Sequence, residues 1–291
     1  MNMKKLRLVV LMGGKSSERE VSLNSGNEVI KNLDKEKYEV ILVDFDGSCD
    51  WMDKLKPDLV FIVLHGKYGE DGTIQKKFEK RKTKFTGSSS DVCKLGIDKI
   101  AFKKFAKKLG IVVPKDVKKA PCVVKPSKNG SSFGISIVKD QNDLEKAINV
   151  AKKYDDKVIV EEYIEGVEVS CGVIEDKKGL LALPVIEICP KNEFFDYESK
   201  YDEKLCQEIV PARISNEMSK KIQEISSLIF KKMGCRGFAR LDFIIKTEIP
   251  YLLEINIIPG MTSKSLLPKE AVAAGISYQK LLDKIIESAL E

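Results

Sequence analysis

Arg240-Leu241-Asp242 and Glu254-Ile255-Asn256 set one cation and three oxygen-bearing side chains into two otherwise apolar runs. Side chains alternate faces along a strand, so Arg240 and Asp242 point one way together, as do Glu254 and Asn256. If residues 237–246 and 250–257 pair as a hairpin across Thr247-Glu248, two carboxylates and an amide oxygen converge beside a guanidinium. That is a hard-cation site with an anion clamp next to it. Inside a sheet the cluster is costly unless something fills it, because adjacent carboxylates repel and an unpaired buried charge is heavily penalised. Magnesium bridging a nucleotide's phosphates would satisfy it. The simpler reading is a salt-bridged pair of exposed strands, with Arg240 neutralising Asp242 or Glu254.

With 291 residues and 43% hydrophobic content, the chain can bury sizeable cores, and two or three domains are expected. The net charge of +6 comes from lysines spread along the chain, which suits anionic small molecules and argues against a nucleic-acid arm. Seven scattered cysteines without a C-x-x-C pair, and a single histidine, support neither a disulfide framework nor a zinc site. The N-terminus carries no signal-peptide h-region, and nowhere do about eighteen apolar residues follow one another. A soluble, reduced, cytoplasmic protein with no membrane partner is expected.

Residues 6–12 read as a buried strand ending in Gly13-Gly14, and 17–32 as a helix with Glu18 and Glu20 in its first turn. Residues 38–45 and 58–64 add two β-rich runs, and 73–81 a helical pattern, giving a parallel α/β unit. Gly87-Ser88-Ser89-Ser90 marks a composition break, followed by a lysine-rich amphipathic helix over 98–109. Strands over 122–125, 135–138 and 158–162 alternate with a helix over 142–153. Then come strands over 167–174 and 180–188, a polar loop, a helix over 216–233, the hairpin and C-terminal helices. The expected domains are therefore 1–87, 88–164 and 165–291.

Lys125-Pro126-Ser127-Lys128-Asn129-Gly130-Ser131-Ser132-Phe133-Gly134 lies between two strands as a flexible hairpin loop. Its backbone N–H groups and hydroxyls can wrap phosphates, with Lys125 supplying charge; the alternative is a plain hairpin tip. Glu161, Tyr163 and Glu168 flank a bend that can present groups to an adenosine, although strand-end carboxylates are usually just solvated. Lys99, Lys103, Lys104, Lys107 and Lys108 share one helix and on their own read as surface. Glu18 sits where a helix dipole favours an acid, as a capping residue or as a grip for an ammonium group. His65 stands at a strand's C-terminal end, the edge where open α/β sheets bind ligands, and is either structural or functional there.

Together, Gly13-Gly14 through Glu18-Arg19-Glu20-Val21-Ser22, His65-Gly66, Glu70-Asp71-Gly72, Lys125-Pro126-Ser127, Gly130-Ser131-Ser132, Phe195-Asp196-Tyr197, Lys200-Tyr201 and Pro259-Gly260-Met261-Thr262 resemble the D-alanine:D-alanine ligase family. The matches run in order across nearly the whole chain; each is weak alone and their joint occurrence is specific. The resemblance implies the ATP-grasp fold, α/β and α+β, with an N-terminal parallel α/β domain and two further domains enclosing ATP. It implies ATP-dependent ligation of two D-alanine molecules for a peptidoglycan precursor, and a homodimer. Lys99, Lys125, Ser131, Ser132 and Lys200 would serve ATP's phosphates, and Glu161, Tyr163 and Glu168 its adenosine end. Asp242, Glu254 and Asn256 would hold two Mg2+ ions, with Mn2+ as a substitute and K+ as an activator. Glu18 would bind the ammonium of the first D-alanine and His65 would lie near its carboxylate. Arg240, Gly260, Ser265 and Leu266 would form the second D-alanine pocket and the oxyanion site.

The same resemblance makes residues 192–201 a loop closing over the site, with Tyr201 reaching toward Ser131 and Glu18. A tyrosine there favours D-alanine over D-lactate as acceptor. D-serine, another carboxylate–amine pair and a nucleotide-binding module without catalysis stay open. Two departures bear on this: Ile257 stands where the family usually has a hydroxyl, and 115–121 replaces a longer segment.

Overall fold

The computed structural model describes residues 4–130, 133–190 and 206–291. Strand β1 (Leu6–Gly13) lies between β2 (Tyr38–Phe45) and β3 (Leu59–Ile62) in a parallel sheet. Helices α1 (Arg19–Asn32) and α2 (Trp51–Leu55) connect these strands, and α3 (Thr73–Arg81) follows them. A parallel strand needs a crossover, so β1 and β3 end on one edge, where Gly13 and His65 lie. Glu18 occupies the N-cap of α1 without a side-chain capping bond, so its carboxylate is not used in closing the helix.

Helices α4 (Ser90–Ile97) and α5 (Lys99–Lys108) come next. Asp98 caps α5 by accepting from the Ala101 N–H at 3.0 Å. A second sheet follows, antiparallel in the order β5 (Ser136–Val138), β4 (Cys122–Pro126), β6 (Val158–Glu162), backed by α6 (Leu144–Lys152). Its core of Cys122, Val124, Val138, Leu144, Ala147 and Ala151 is small and separate from the others.

The third sheet is antiparallel and runs β10 (Cys206–Ile209), β9 (Ile186–Pro190), β7 (Val167–Asp176), β11 (Phe238–Lys246), β12 (Ile249–Asn256), with β8 (Gly179–Ala182) also on β7. Residues 180–188, expected as one strand, are two. Pairing runs from Val173↔Ala182 to Ser170↔Ile186, so three residues of β7 are spanned by four of the partner. Pro184 has no N–H to donate, which is where a ladder breaks. Thr247 and Glu248 form the hairpin tip with φ of 49° and 61°, the left-handed pair of a tight two-residue turn.

Helix α7 (Asn216–Met233) is capped by Ser215 and ends at Gly234 with φ 77°, its last-turn Lys231 and Lys232 suiting the dipole. Helices α8 (Leu266–Ala273) and α9 (Tyr278–Leu290) close the chain. α9 packs on both β3 and β7, and its Leu282 and Ile285 share a core with Leu8, Val10 and Phe61. Each such buried aliphatic or aromatic side chain contributes about 1.5–3 kcal/mol, which fixes the first sheet against the third.

Candidate active site

The hairpin forms, and a register shift between Asp242 and Phe243 sets the site. Phe243 pairs with Leu252, but beyond the shift Asp242 is opposite Glu254 and Arg240 opposite Asn256, so that Glu254 and Asn256 turn to the face of Arg240 and Asp242. Arg240 donates twice to Asp242, Nε to Oδ1 at 2.9 Å and Nη2 to Oδ2 at 2.8 Å. Ser170 Oγ and Asn256 Nδ2 also donate to Asp242, at 2.6 and 2.8 Å. Lys99, buried at the start of α5, reaches Glu254 Oε2 at 3.0 Å and donates to the Asn129 carbonyl at 2.9 Å. One lysine thus joins the hairpin to the glycine-serine loop. The Arg240–Asp242 salt bridge of the simpler reading is present, but on buried rather than exposed strands, where it forms part of a pocket wall.

A cavity of about 450 Å³ lies between the second and third sheets, within the range of small-molecule sites. Lys125, Glu161, Tyr163, Glu168, Arg240, Asp242 and Glu254 of the expected set line it. Lys125 Nζ is 2.6 Å from Glu161 Oε2, and Glu161 Oε1 accepts from Lys103 at 2.7 Å. Burial works against the Glu161 charge, but the two lysines outweigh it and hold the carboxyl below its ordinary range.

Glu18 and His65 are buried together beside Glu70 at the edge of the first sheet. Gly130 of the loop passes so close that a Cβ on it would lie 3.2 Å from Glu18 Oε2. Glu70 accepts from the Gly66 N–H at 2.7 Å. Burial, and then the Glu18 charge, push the Glu70 carboxyl up to about 8. Burial, and then Arg240, push the His65 imidazole down to about 4, so it is neutral at physiological pH. Ser25 Oγ lies 3.4 Å from His65 Nε2 and accepts from the Met261 N–H at 3.2 Å, tethering the turn after Gly260 to α1.

That turn ends at Ser265, the N-cap of α8, whose Oγ lies 2.8 Å from Thr262 Oγ1 and accepts from the Thr262 N–H at 3.1 Å. The Leu266 side chain packs with Ile186, Ile188 and Cys206, so only its backbone at the helix start remains for a ligand. Ser131, Ser132, Lys200 and Tyr201, with the whole expected closing loop over 192–201, lie outside the described residues.

Sequence reasoning passed over four charged groups. Lys103 is buried rather than surface decoration, and Glu70 was only part of a motif. Glu187 lines the cavity and is held by Arg213 at 2.6 Å. Glu270 of α8 is fully buried, and among the described residues neither of its carboxyl oxygens has a hydrogen-bond partner. It lies over Gly172, where a Cβ would come within 2.5 Å of Oε2, and Gly172 is the direct partner of Arg240. Burial raises its pKa well above the ordinary carboxyl value. No local signal marks either Lys103, whose partners come from other elements, or Glu270.

Among the described residues no three His, Cys, Asp or Glu side chains gather as a metal-binding group. Two carboxylates and the Asn256 amide do converge at the hairpin. These are hard oxygen donors too few to enclose a cation, which fits magnesium arriving with phosphate oxygens to complete its shell.

Two antiparallel sheets clasping a nucleotide-sized cavity, with Lys125, Arg240 and several carboxylates turned into it, define the ATP-grasp class of carboxylate–amine ligases. Family models for the D-ala D-ala ligase N-terminus match residues 7–57 and 53–88, and that for the C-terminus matches 94–287. The chain belongs to the D-alanine–D-alanine ligase family. It is 39% identical over 305 residues to the D-alanine–D-alanine ligase of Bacillus anthracis, covering 98% of this chain and 97% of that one. A crystal structure of the Bacillus anthracis enzyme complexed with ATP superposes with a TM-score of 0.85 at 38% identity, covering 99% and 98% of the two chains. The VanG D-Ala:D-Ser ligase of Enterococcus faecalis gives 0.84 at 33% identity, covering 98% and 100%.

Proposed function

We propose that the chain joins two D-alanine molecules to D-alanyl-D-alanine at the expense of ATP, through an acyl phosphate, supplying a peptidoglycan precursor. The carrying observation is the continuity of three groups: the Lys125–Glu161 wall, the Arg240–Asp242–Glu254 hairpin and the Glu18–His65–Glu70 cluster, which Lys99 and Gly130 bring together. A carboxylate is a poor electrophile until one of its oxygens becomes a leaving group. Phosphorylation by ATP achieves this, and the second amine then attacks the carbonyl and expels phosphate.

In this reading Lys99 and Lys125 neutralise the phosphates, while Glu161, Tyr163 and Glu168 hold the adenosine end. Asp242, Glu254 and Asn256 would hold magnesium, which would add positive charge to the transferring phosphoryl group. Glu18 grips the first ammonium, and neutral His65 sits by the carboxylate that is activated. Arg240 and the Gly260 N–H stabilise the tetrahedral oxyanion, and the Ser265–Leu266 helix start receives the second carboxylate. The second sheet, with its separate core, is the unit that closes on the nucleotide.

The reading requires phosphate release that depends on D-alanine in the presence of ATP, magnesium and potassium. Absence of any D-alanine dependence would refute it. D-serine offered in competition separates the two acceptors, which fold similarity to VanG leaves equivalent.

A further inference from the structure

Glu161 is 3% exposed and is held from two sides. Lys125, which lines the cavity, takes Oε2 at 2.6 Å. Lys103, which is not among the lining residues, takes Oε1 at 2.7 Å from α5 and also binds Asp116 Oδ1 at 2.6 Å. Asp116 belongs to the segment bridged to Glu161 itself, so α5, that segment, β6 and β4 meet at one carboxylate.

Two lysines on a buried carboxylate are more than its charge requires. A phosphate entering the cavity competes with Glu161 for Lys125, and Lys125 can transfer only if Glu161 keeps a partner, because a buried carboxylate without a cation is strongly disfavoured. Lys103 provides that partner without moving, and Asp116 in turn holds Lys103 in place. We propose that Lys103 is the resident counter-ion of Glu161, a positioning residue that frees Lys125 for the phosphates of the nucleotide. The proposal rests on the reading of Lys125 as a phosphate ligand and adds what makes that lysine available. Without Lys103, Lys125 is trapped on Glu161 and the cavity keeps its adenosine contacts while losing a phosphate contact.

The test compares dissociation constants for ATP and for adenosine, the latter by competition, in the full-length protein. Lys103→Met weakens ATP by roughly tenfold or more and leaves adenosine nearly unchanged. Lys103→Arg, which keeps the charge, retains most of the ATP affinity. In a Glu161→Gln background no carboxylate charge remains to trap Lys125, so adding Lys103→Met there costs nothing further. Equal loss of ATP and adenosine affinity, no loss at all, or an undiminished loss in the Glu161→Gln background would each overturn the proposal. If Lys103→Met does not fold, the comparison of Glu161→Gln with the double variant decides alone. Lys125→Met separates the two levels of the argument. Unchanged ATP affinity in that variant removes the phosphate role itself, whereas weakened ATP affinity with an indifferent Lys103→Met overturns only the counter-ion role.

Discussion

Asp242 and Glu254 stand directly opposite each other across the β11–β12 pair, and each already holds a cation, Arg240 on Asp242 and Lys99 on Glu254. Two neighbouring carboxylates are tolerable there because each is neutralised. Entry of a metal–nucleotide complex must displace or share those cations. Asp242→Asn removes one hard donor and leaves Arg240 without its partner. Since disturbing even an outer partner of a metal ligand costs about 10–100-fold, turnover should fall by at least that much, with a raised magnesium requirement. A variant with unaltered magnesium dependence would take Asp242 out of the metal site.

Arg240 has a second duty in this account. Removing one oxyanion donor typically costs about 3 kcal/mol, so Arg240→Ala should lower kcat/KM on the order of a hundredfold. Full turnover in that variant would assign oxyanion stabilisation elsewhere.

His65 links acid stability to the site. Its imidazole is lowered from 6.5 to about 4 by burial and Arg240, so the unfolded chain binds the proton more readily than the folded one. Its contribution is intact above pH 6.5 and is lost as pH falls toward 4, by roughly 3 kcal/mol at about 1.4 kcal/mol per unit. Urea unfolding of the protein and of His65→Gln across that window should therefore give stability curves that differ in slope. Parallel curves would mean that the imidazole is solvated.

Glu70 makes a binding prediction. With its carboxyl pushed up to about 8, it is mostly protonated at neutral pH. An ammonium group arriving at neighbouring Glu18 favours the ionised form and drives the proton off. Calorimetry of D-alanine binding in two buffers of different ionisation enthalpy should show proton release, and Glu70→Gln should abolish it. Binding heats that do not depend on the buffer would contradict this coupling.

The pairing of the two hairpin strands was legible from their apolar runs and the two-residue tip, but an unbroken ladder from that tip would set Asp242 opposite Leu253. The register shift between Asp242 and Phe243, which brings Glu254 and Asn256 to the face of Arg240, has no local mark in the sequence. The parallel unit at the N-terminus was legible, since continuous apolar runs and short turns mark its strands. Lys103 was not, because a buried lysine four residues from Lys99 has the same local pattern as a solvated one, and its partners Asp116 and Glu161 come from other elements. Glu270 is further from reach: its burial depends on the missing side chain of Gly172, in a different strand of the chain. The break at Pro184 was readable in principle, but the apolar run around it masked the lost donor.

Incubation with ATP, magnesium and D-alanine carrying 18O in its carboxylate tests the central claim most directly, with L-alanine as the control. An acyl phosphate passes one carboxylate oxygen to the phosphate that leaves. The account predicts D-alanyl-D-alanine and singly labelled phosphate from D-alanine, and neither from L-alanine. Unlabelled phosphate, or ATP turnover without dipeptide, would contradict it.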